Sequence, residues 1–183
     1  MIITVEGAQT AGKSYLLEHS KFHSYHFEFT DYTKKFSYLS RIDPLLGFTM
    51  GKDLQLLQYA EKHPDELIIA DRLFVSTLVF GSIFQRASLE ILEEYAFLIA
   101  EHFHYVPIVY VQRDPHIQVD RNKNDGYDNI MKRRQQQIIS YEFWLKKLPN
   151  TIYGFDNLFD DLSVDRFNYL IETILKYTFR SNK

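Results

Sequence analysis

The feature that most constrains this chain is a glycine-rich octapeptide near its N-terminus, residues 7–14, with the sequence GAQTAGKS. It matches the pattern GxxxxGK(S/T), in which successive backbone N–H groups turn inward around phosphate oxygens. A short β-branched run, residues 2–5, precedes the octapeptide, and a helical pattern over residues 13–22 follows it. Because the pattern requires a strand before the loop and a helix after it, residues 7–14 predict a phosphate-binding loop, the P-loop.

The residues of the P-loop have distinct expected roles. The glycines allow backbone angles that other residues resist, so the loop can close around phosphate. Lys13 supplies positive charge for the β- and γ-phosphates, and Ser14 supplies a hydroxyl for Mg²⁺. The helix that begins here directs the positive end of its dipole at the anion. We therefore expect ATP and Mg²⁺ to bind at nine residues: Gly7, Ala8, Gln9, Thr10, Ala11, Gly12, Lys13, Ser14 and Tyr15.

Strand-like and helical patterns alternate along the rest of the chain. Residues 2–5, 25–29, 67–70, 106–111 and 151–155 predict five strands, and residues 52–63, 89–102, 130–147 and 162–179 predict helices after the first. This alternation predicts an α/β three-layer sandwich with a five-stranded parallel sheet. The chain of 183 residues has the length of one domain and contains no Gly/Ser-rich linker, so we expect a single domain over residues 1–183.

Composition excludes several classes of function. The formal net charge of −3 argues against a broad nucleic-acid-binding surface, which needs an extended basic field. The absence of cysteine excludes thiolate chemistry and fits a reducing compartment. No run of about 18 uncharged apolar residues predicts a membrane span, and the N-terminus has no secretory pattern. We therefore expect a cytoplasmic protein that makes no membrane contact.

An acidic and a basic residue, Asp71 and Arg72, directly follow the third predicted strand. Ligands of a parallel sheet gather at the carboxyl ends of its strands, so both side chains are expected beside the P-loop. A carboxylate at this place suits Mg²⁺ or a metal-bound water, which makes Asp71 a candidate metal ligand together with Ser14. Arg72 is a candidate for stabilising charge during catalysis. The alternative for Arg72 is a surface ion pair with Asp71.

A segment rich in basic residues follows the fourth predicted strand, and we expect it to form a lid over about residues 113–130. Phosphoryl transfer requires positive charge at the γ-phosphate, which a hinged loop can bring while it excludes water. We take Arg121 as the catalytic arginine of this segment. A solvated helix face is the alternative for three basic residues that fall on the next helix: Lys132, Arg133 and Arg134.

Three segments resemble the thymidylate kinase branch of the P-loop nucleotide and nucleoside kinases: Val5–Ser14, Ile68–Gly81 and Tyr110–Asp125. The first is similar to the strand and P-loop at the start of that family's sequences, the second to its DR(Y) segment, and the third to its fourth strand and lid. The resemblance implies transfer of a phosphoryl group from ATP to a deoxynucleoside monophosphate. It also implies that Arg72 contacts the acceptor and that Arg121 contacts the triphosphate.

The chain departs from this family at two places that bear on the acceptor. The Asp that the family carries inside the P-loop is Gln9 here, and Thr30–Thr33 replaces the Arg-Glu-Pro that would bind a monophosphate. Asp31 falls near the place where deoxynucleoside kinases of this fold carry a glutamate base. A hydroxyl acceptor needs such a base, whereas a phosphate acceptor is already ionised. A nucleoside 5′-hydroxyl, with Asp31 as the base, is therefore the alternative acceptor.

Other assignments stay open at this point. Gln55, Gln58 and Tyr59, on the helix before the third strand, could read and stack a base, which makes Gln58 and Tyr59 candidate acceptor-binding residues with Asp71 and Arg72. An ordinary amphipathic helix is the alternative. A nucleotide-dependent binding module without a small acceptor is a second class of function, and the donor could be GTP. Related kinases often dimerise through helices, so the resemblance also admits a homodimer.

Overall fold

The computed structural model describes residues 1–26, 43–113 and 127–181, and these ranges contain five strands and six helices. The strands are β1 (Ile2–Glu6), β2 (Ser24–His26), β3 (Ile68–Asp71), β4 (Ile108–Arg113) and β5 (Ile152–Asn157). The helices are α1 (Lys13–His19), α2 (Asp43–Lys62), α3 (Phe74–Ile83), α4 (Leu89–His102), α5 (Tyr127–Lys147) and α6 (Ser163–Ser181).

The five strands form one parallel sheet in the order β2-β3-β1-β4-β5. The central strand, β1, is buried at every residue, and its Val5 is opposite Asp71 of β3 while Glu6 is opposite Tyr110 of β4. This register brings the carboxyl ends of β1, β3 and β4 to one edge of the sheet, called here the carboxyl edge. The predicted five-stranded parallel sheet is confirmed, and the P-loop follows directly from its central strand.

Helices cover both faces of the sheet. Alternate strand residues point to opposite faces, so Ile2 and Ile108 pack with α2, α3, α4 and α5, whereas Ile3 and Val109 pack with α1 and α6. Burial of each such side chain contributes about 1.5–3 kcal/mol. The predicted three-layer α/β sandwich is therefore confirmed, with two apolar cores separated by the sheet.

Two helical features differ from the sequence-based expectation. α3 was not predicted, because its residues 74–81 are all buried and it lacks the polar face from which helical periodicity is recognised. α2 begins at Asp43, nine positions before the predicted start at Lys52. Although α3 is strongly apolar, it has only 10 residues, and no helix among the described residues is long and apolar enough to cross a membrane.

A buried carboxylate connects three of the helices on one face. Asp53 Oδ2 of α2 accepts hydrogen bonds from the Thr77 hydroxyl of α3, at 2.6 Å, and from the Tyr95 hydroxyl of α4, at 2.9 Å. Burial raises the pKa of Asp53 from 3.8 to about 7, although these hydrogen bonds oppose the rise. The side chain therefore changes its charge near neutral pH inside the helical layer.

Substitution Asp53→Asn is expected to remove a pH dependence of stability. Because the pKa of Asp53 is higher in the folded chain, the folded state binds more protons than the unfolded state between about pH 4 and pH 7. The free energy of unfolding of the wild type should therefore fall as pH rises through this window, by up to about 1.4 kcal/mol per pH unit from this group. Asn keeps an acceptor oxygen but cannot ionise.

Urea unfolding between pH 5 and pH 8 measures this effect. The stability of Asp53→Asn relative to wild type should rise with pH up to about pH 7 and then level off. Asp161→Asn, at an exposed aspartate, is the matched control and should show a constant difference. A constant difference for Asp53→Asn as well would contradict the assignment.

Candidate active site

The P-loop has the backbone that its two glycines were expected to allow. Gly7 has φ of +147° and Gly12 has φ of +82°, both in the region that favours glycine. A Cβ atom on Gly7 would collide with the carbonyl of Val111, and one on Gly12 would collide with the Asn157 amide and the Phe159 ring. Larger residues at either position would therefore displace the loop from its neighbours.

Residues distant in sequence hold the P-loop in place. The Gln137 Oε1 atom of α5 accepts a hydrogen bond from the Gln9 N–H at 2.7 Å. The Asn157 amide, at the end of β5, donates to the Ala11 carbonyl at 3.0 Å. Arg113, at the end of β4, donates to the Thr10 carbonyl at 3.4 Å and lies over the Phe159 ring, 4.7 Å from its centroid. The loop is thus braced by three elements, which favours a preorganised anion site.

The ammonium group of Lys13 lies inside the loop. Its Nζ donates to the carbonyls of Gly7 and Ala8, at 2.8 and 3.0 Å. Burial and the charge of Arg72 lower the pKa of Lys13 well below its usual range, although Asp71 opposes the shift. A phosphate anion would favour the charged form of this side chain, so the lysine is placed to gain from phosphate binding.

Arg72 turns its side chain toward the P-loop. Its backbone N–H donates to the Val5 carbonyl at 3.0 Å, and its φ of +72° directs the chain from β3 into α3. Its Nη1 is 3.3 Å from the Gly7 carbonyl, 3.4 Å from Ser76 Oγ and 3.1 Å from Tyr141 Oη. A non-glycine residue at positive φ costs of order 1–3 kcal/mol, and such residues cluster at functional sites.

Glu6 is a fully buried carboxylate directly before the P-loop. Its Oε1 accepts hydrogen bonds from the Thr4 hydroxyl at 2.9 Å and from the Leu73 N–H at 2.8 Å, and its Oε2 accepts from the Ser76 hydroxyl at 2.5 Å. Burial raises the pKa of Glu6, while these three hydrogen bonds and the charge of Arg72 lower it. The carboxylate therefore has partners on both oxygens.

A directed chain of hydrogen bonds connects Arg72 to Glu6. Ser76 has one hydroxyl proton, which it donates to Glu6, so the 2.7 Å contact between Ser76 Oγ and Tyr141 Oη uses the proton of Tyr141. The oxygen of Tyr141 then accepts from Arg72. The charge on Arg72 and the carboxylate of Glu6 thus stabilise one another through two neutral hydroxyl groups.

Two of the expected site residues supply oxygen atoms suited to Mg²⁺. Asp71 ends β3 with 8% of its surface exposed, and Ser14 is exposed in the first turn of α1. Mg²⁺ in phosphoryl-transfer sites is held by one or two protein oxygens together with waters and substrate phosphates, so this donor pair fits it. Tyr15 is half-exposed beside them, with its ring 4.3 Å from that of His19.

Gln58 and Tyr59 do not reach this site, which corrects the expectation that they bind the acceptor. The Tyr59 hydroxyl donates to Glu66 at 2.9 Å, and its ring stacks on His63 with 4.0 Å between centroids. Glu66 precedes β3, so these side chains lie at the amino edge of the sheet, opposite the P-loop. Asp31 and Arg121, together with most of the expected lid, lie outside the described residues.

Four residues at the site were not predicted from the sequence: Ser76, Gln137, Tyr141 and Asn157. Gln137 and Tyr141 share one face of α5 because they are four positions apart. Two polar side chains on the buried face of a helix are a signal that could have been noticed, since buried polar groups need hydrogen-bond partners. The identity of those partners could not have been read from the pattern.

Comparisons with solved structures show which proteins share this fold. No family model and no curated protein sequence matches the chain. Among solved structures, thymidylate kinase from Ehrlichia chaffeensis superposes with a TM-score of 0.60 and 10% identity, covering 96% of this chain and 98% of that one. Deoxyadenosine kinase from M. mycoides, solved with bound dATP, superposes with a TM-score of 0.58 and 18% identity, covering 96% of this chain and 100% of that one. Thymidylate kinase from Candida albicans superposes with a TM-score of 0.57 and 16% identity, covering 94% of this chain and 91% of that one.

The chain has the fold of these kinases. The similarity extends over nearly the whole length of each protein. At identities of 10–18% the likeness establishes the fold and leaves the choice of substrate to the site itself.

Substitution Tyr141→Phe is expected to lower ATP turnover, measured as ADP release, by roughly ten- to a hundredfold, because a hydrogen bond to a charged group contributes about 1.5–3 kcal/mol. The ring would still pack on Tyr110, 5.4 Å away between centroids. Tyr105→Phe is the matched control, because it removes a phenol hydrogen bond to Glu61, of 2.9 Å, at the amino edge of the sheet. Equal losses of turnover in the two variants would contradict the role of the Tyr141 hydroxyl.

Proposed function

We propose that the protein is a kinase that transfers the γ-phosphoryl group of ATP to a deoxynucleoside monophosphate, with Mg²⁺ as cofactor. The observation that carries this proposal is the convergence of Lys13 and Arg72 on the carbonyl of Gly7, at 2.8 and 3.3 Å. Phosphoryl transfer depends on positioning and on positive charge around the transferred group, and these two cations supply that charge at the mouth of a P-loop. The fold shared with nucleotide and nucleoside kinases supports the same conclusion.

Each residue of the site has a role in this reaction. The backbone N–H groups of the P-loop and the Lys13 ammonium bind the triphosphate. Ser14 and Asp71 would hold Mg²⁺, which supplies charge neutralisation between the β- and γ-phosphates when bound. Arg72 stabilises the charge that moves between donor and acceptor, held in place by Tyr141 and Ser76. We assign the remaining catalytic charge to Arg121.

A nucleoside 5′-hydroxyl is the second candidate acceptor. The structural similarity to deoxyadenosine kinase, with a TM-score of 0.58, is as strong as the similarity to the two thymidylate kinases, with 0.60 and 0.57. A hydroxyl acceptor requires a general base, whereas a phosphate acceptor does not. Asp31 is the residue that we propose as this base.

A screen of acceptors tests the function directly. Wild-type protein is incubated with Mg²⁺ and either ATP or GTP, and ADP or GDP release is measured with each deoxynucleoside and each deoxynucleoside monophosphate. One acceptor should stimulate release strongly, and Lys13→Ala should lower that turnover at least about a hundredfold, or roughly 2.7 kcal/mol. Lys21→Ala, which removes an exposed lysine paired with Glu172, is the matched control and should retain activity.

Two results of the screen would count against the proposal. Nucleotide hydrolysis that no acceptor stimulates would favour a nucleotide-dependent binding module. Turnover in Lys13→Ala equal to that of the wild type would refute the assignment of the P-loop itself.

Substitution Asp31→Asn separates the two acceptors. A nucleoside kinase should lose most of its activity, since the base that removes the hydroxyl proton is gone. A monophosphate kinase should lose less, because its acceptor oxygen is already ionised. Steady-state kinetics with the acceptor found in the screen measures the difference, with Asp65→Asn, at an exposed aspartate, as the control. A small loss with a nucleoside acceptor would contradict the role of Asp31.

A further inference from the structure

The sheet ends on one side at β5, whose outer edge has no partner strand among the described residues. β5 is the last strand in the order β2-β3-β1-β4-β5, and it pairs with β4. The Thr151 carbonyl accepts a hydrogen bond from the Ile108 N–H of β4 at 2.9 Å, so it points inward. Because backbone groups alternate in direction along a strand, the N–H and C=O groups of Ile152, Gly154 and Asp156 point outward. Such a row of donors and acceptors can pair with another extended chain.

A groove with a volume of about 530 Å³ follows this outer edge. Gly154 and Asp156 line it from β5, and Leu162 and Tyr169 line it from the start and the first half of α6. Phe155 packs its ring on Phe167 of α6, with 5.6 Å between centroids, so its neighbours Gly154 and Asp156 face away from α6. A groove that touches both these residues and α6 must therefore run around the edge of the strand.

The groove is open to an incoming backbone and offers it apolar surface. Gly154 is exposed, and a Cβ atom there would meet no other atom within 4 Å. Leu162 and Tyr169 expose 60% and 69% of their surfaces beside it. Edge strands are usually protected by lysine, proline or a bulge, but β5 has the sequence IYGFDN and pairs with β4 in an unbroken register. Glycine inside a strand often marks a place where another backbone approaches closely.

The charge of the groove selects the kind of chain that fits it. Arg166, the cation of the lining, donates to Asp160 at 2.7 Å and is paired by it. Asp156 and Asp165 also line the groove, and no described residue forms a hydrogen bond or ion pair with either carboxylate. The lining is therefore acidic, which favours a basic partner. A second copy of this chain would instead bring the same carboxylates together, and like charges repel.

We propose that this groove binds an extended, basic segment of a partner protein, which pairs with β5 as an additional strand of the sheet. Main-chain hydrogen bonds to the outward groups of β5 provide affinity, and alternate side chains provide specificity. Side chains of the added strand point to the two faces of the sheet in turn. Apolar residues would pack on Leu162 and Tyr169, and the basic residues between them would face Asp156. The segment expected is therefore one in which basic and apolar residues alternate.

A synthetic peptide with the sequence Lys-Val-Lys-Val-Lys-Val-Lys, blocked at both ends and labelled with a fluorophore, tests the proposal. Fluorescence anisotropy measures its binding to the wild-type protein, which should weaken as the salt concentration rises. The same peptide with glutamate in place of lysine should not bind. Two further peptides carry backbone N-methyl groups, one at every valine and one at every lysine. Only one of these two sets faces β5, so only one of the two peptides should lose its affinity.

Two variants of the protein separate the contributions of charge and backbone. Asp156→Asn combined with Asp165→Asn should lower the affinity for the lysine peptide by roughly three- to tenfold, because exposed ion pairs are individually weak. Asp65→Asn, at an exposed aspartate of the amino edge, is the matched control and should bind as the wild type does. Gly154→Pro removes an outward N–H group that β4 does not use, so it should lower the affinity by at least about tenfold. Urea unfolding checks that each variant is folded.

Several outcomes would overturn the proposal. The lysine peptide could fail to bind, or it could bind no more tightly than the glutamate peptide. Unchanged affinity in the double aspartate variant would also contradict it, and this variant decides the question if Gly154→Pro does not fold. A dimer of the protein alone in sedimentation, dissociated by Gly154→Pro, would assign the edge of β5 to a second copy instead.

The proposal is independent of the proposed function. The peptide assay contains no nucleotide, so its result does not depend on whether the protein transfers a phosphoryl group. Peptide binding without acceptor-stimulated ADP release would contradict the kinase and support the groove. Acceptor-stimulated release without peptide binding would contradict the groove alone.

Discussion

The buried carboxylate of Glu6 is the interaction on which the site depends. It ends the central strand, accepts the Leu73 N–H directly before α3, and reaches α5 through Ser76 and Tyr141. Burying a carboxylate costs several kcal/mol unless its oxygens are hydrogen-bonded. β1, α3 and α5 must therefore pack so that both oxygens of Glu6 keep hydrogen-bond partners. The backbone of Arg72 is held between β1 and α3 by the same constraint. The position of the arginine side chain therefore follows from the burial of an acid that does not itself touch it.

Most of the fold could be predicted from the sequence because its signals are local. A β-branched run before GAQTAGKS indicates the central strand, and alternation of strands with helices indicates the parallel sheet. α3 escaped prediction because a helix that is buried on all sides has no period to detect. The start of α2 at Asp43 was also missed, since the predicted helix rested on the apolar spacing that begins at Lys52.

The site was less predictable because its contacts are not local. Gln9 and Gln137 are 128 positions apart, and nothing in either segment identifies the other as its partner. The prediction that Gln58 and Tyr59 lie at the site was wrong for a different reason. A helix that leads into a parallel strand runs back from the carboxyl edge to the amino edge, so residues in its last turns lie far from the P-loop. Helical spacing indicates which face is buried, whereas the position along the helix decides which end of the sheet a residue reaches.

The features of the site that favour phosphate binding destabilise the protein when no phosphate is bound. The whole chain has a formal net charge of −3, yet Lys13, Arg72, Arg113 and Arg134 gather at one edge of the sheet. Two of the residues there, Thr10 and Arg72, also have φ values of +65° and +72°, each of which costs of order 1–3 kcal/mol. Crowded, partly desolvated cations and strained backbone destabilise the free protein, and a bound phosphate offsets both by pairing with the charges. Because a bound phosphate would relieve the repulsion between these charges, we expect phosphate binding to stabilise this edge of the sheet.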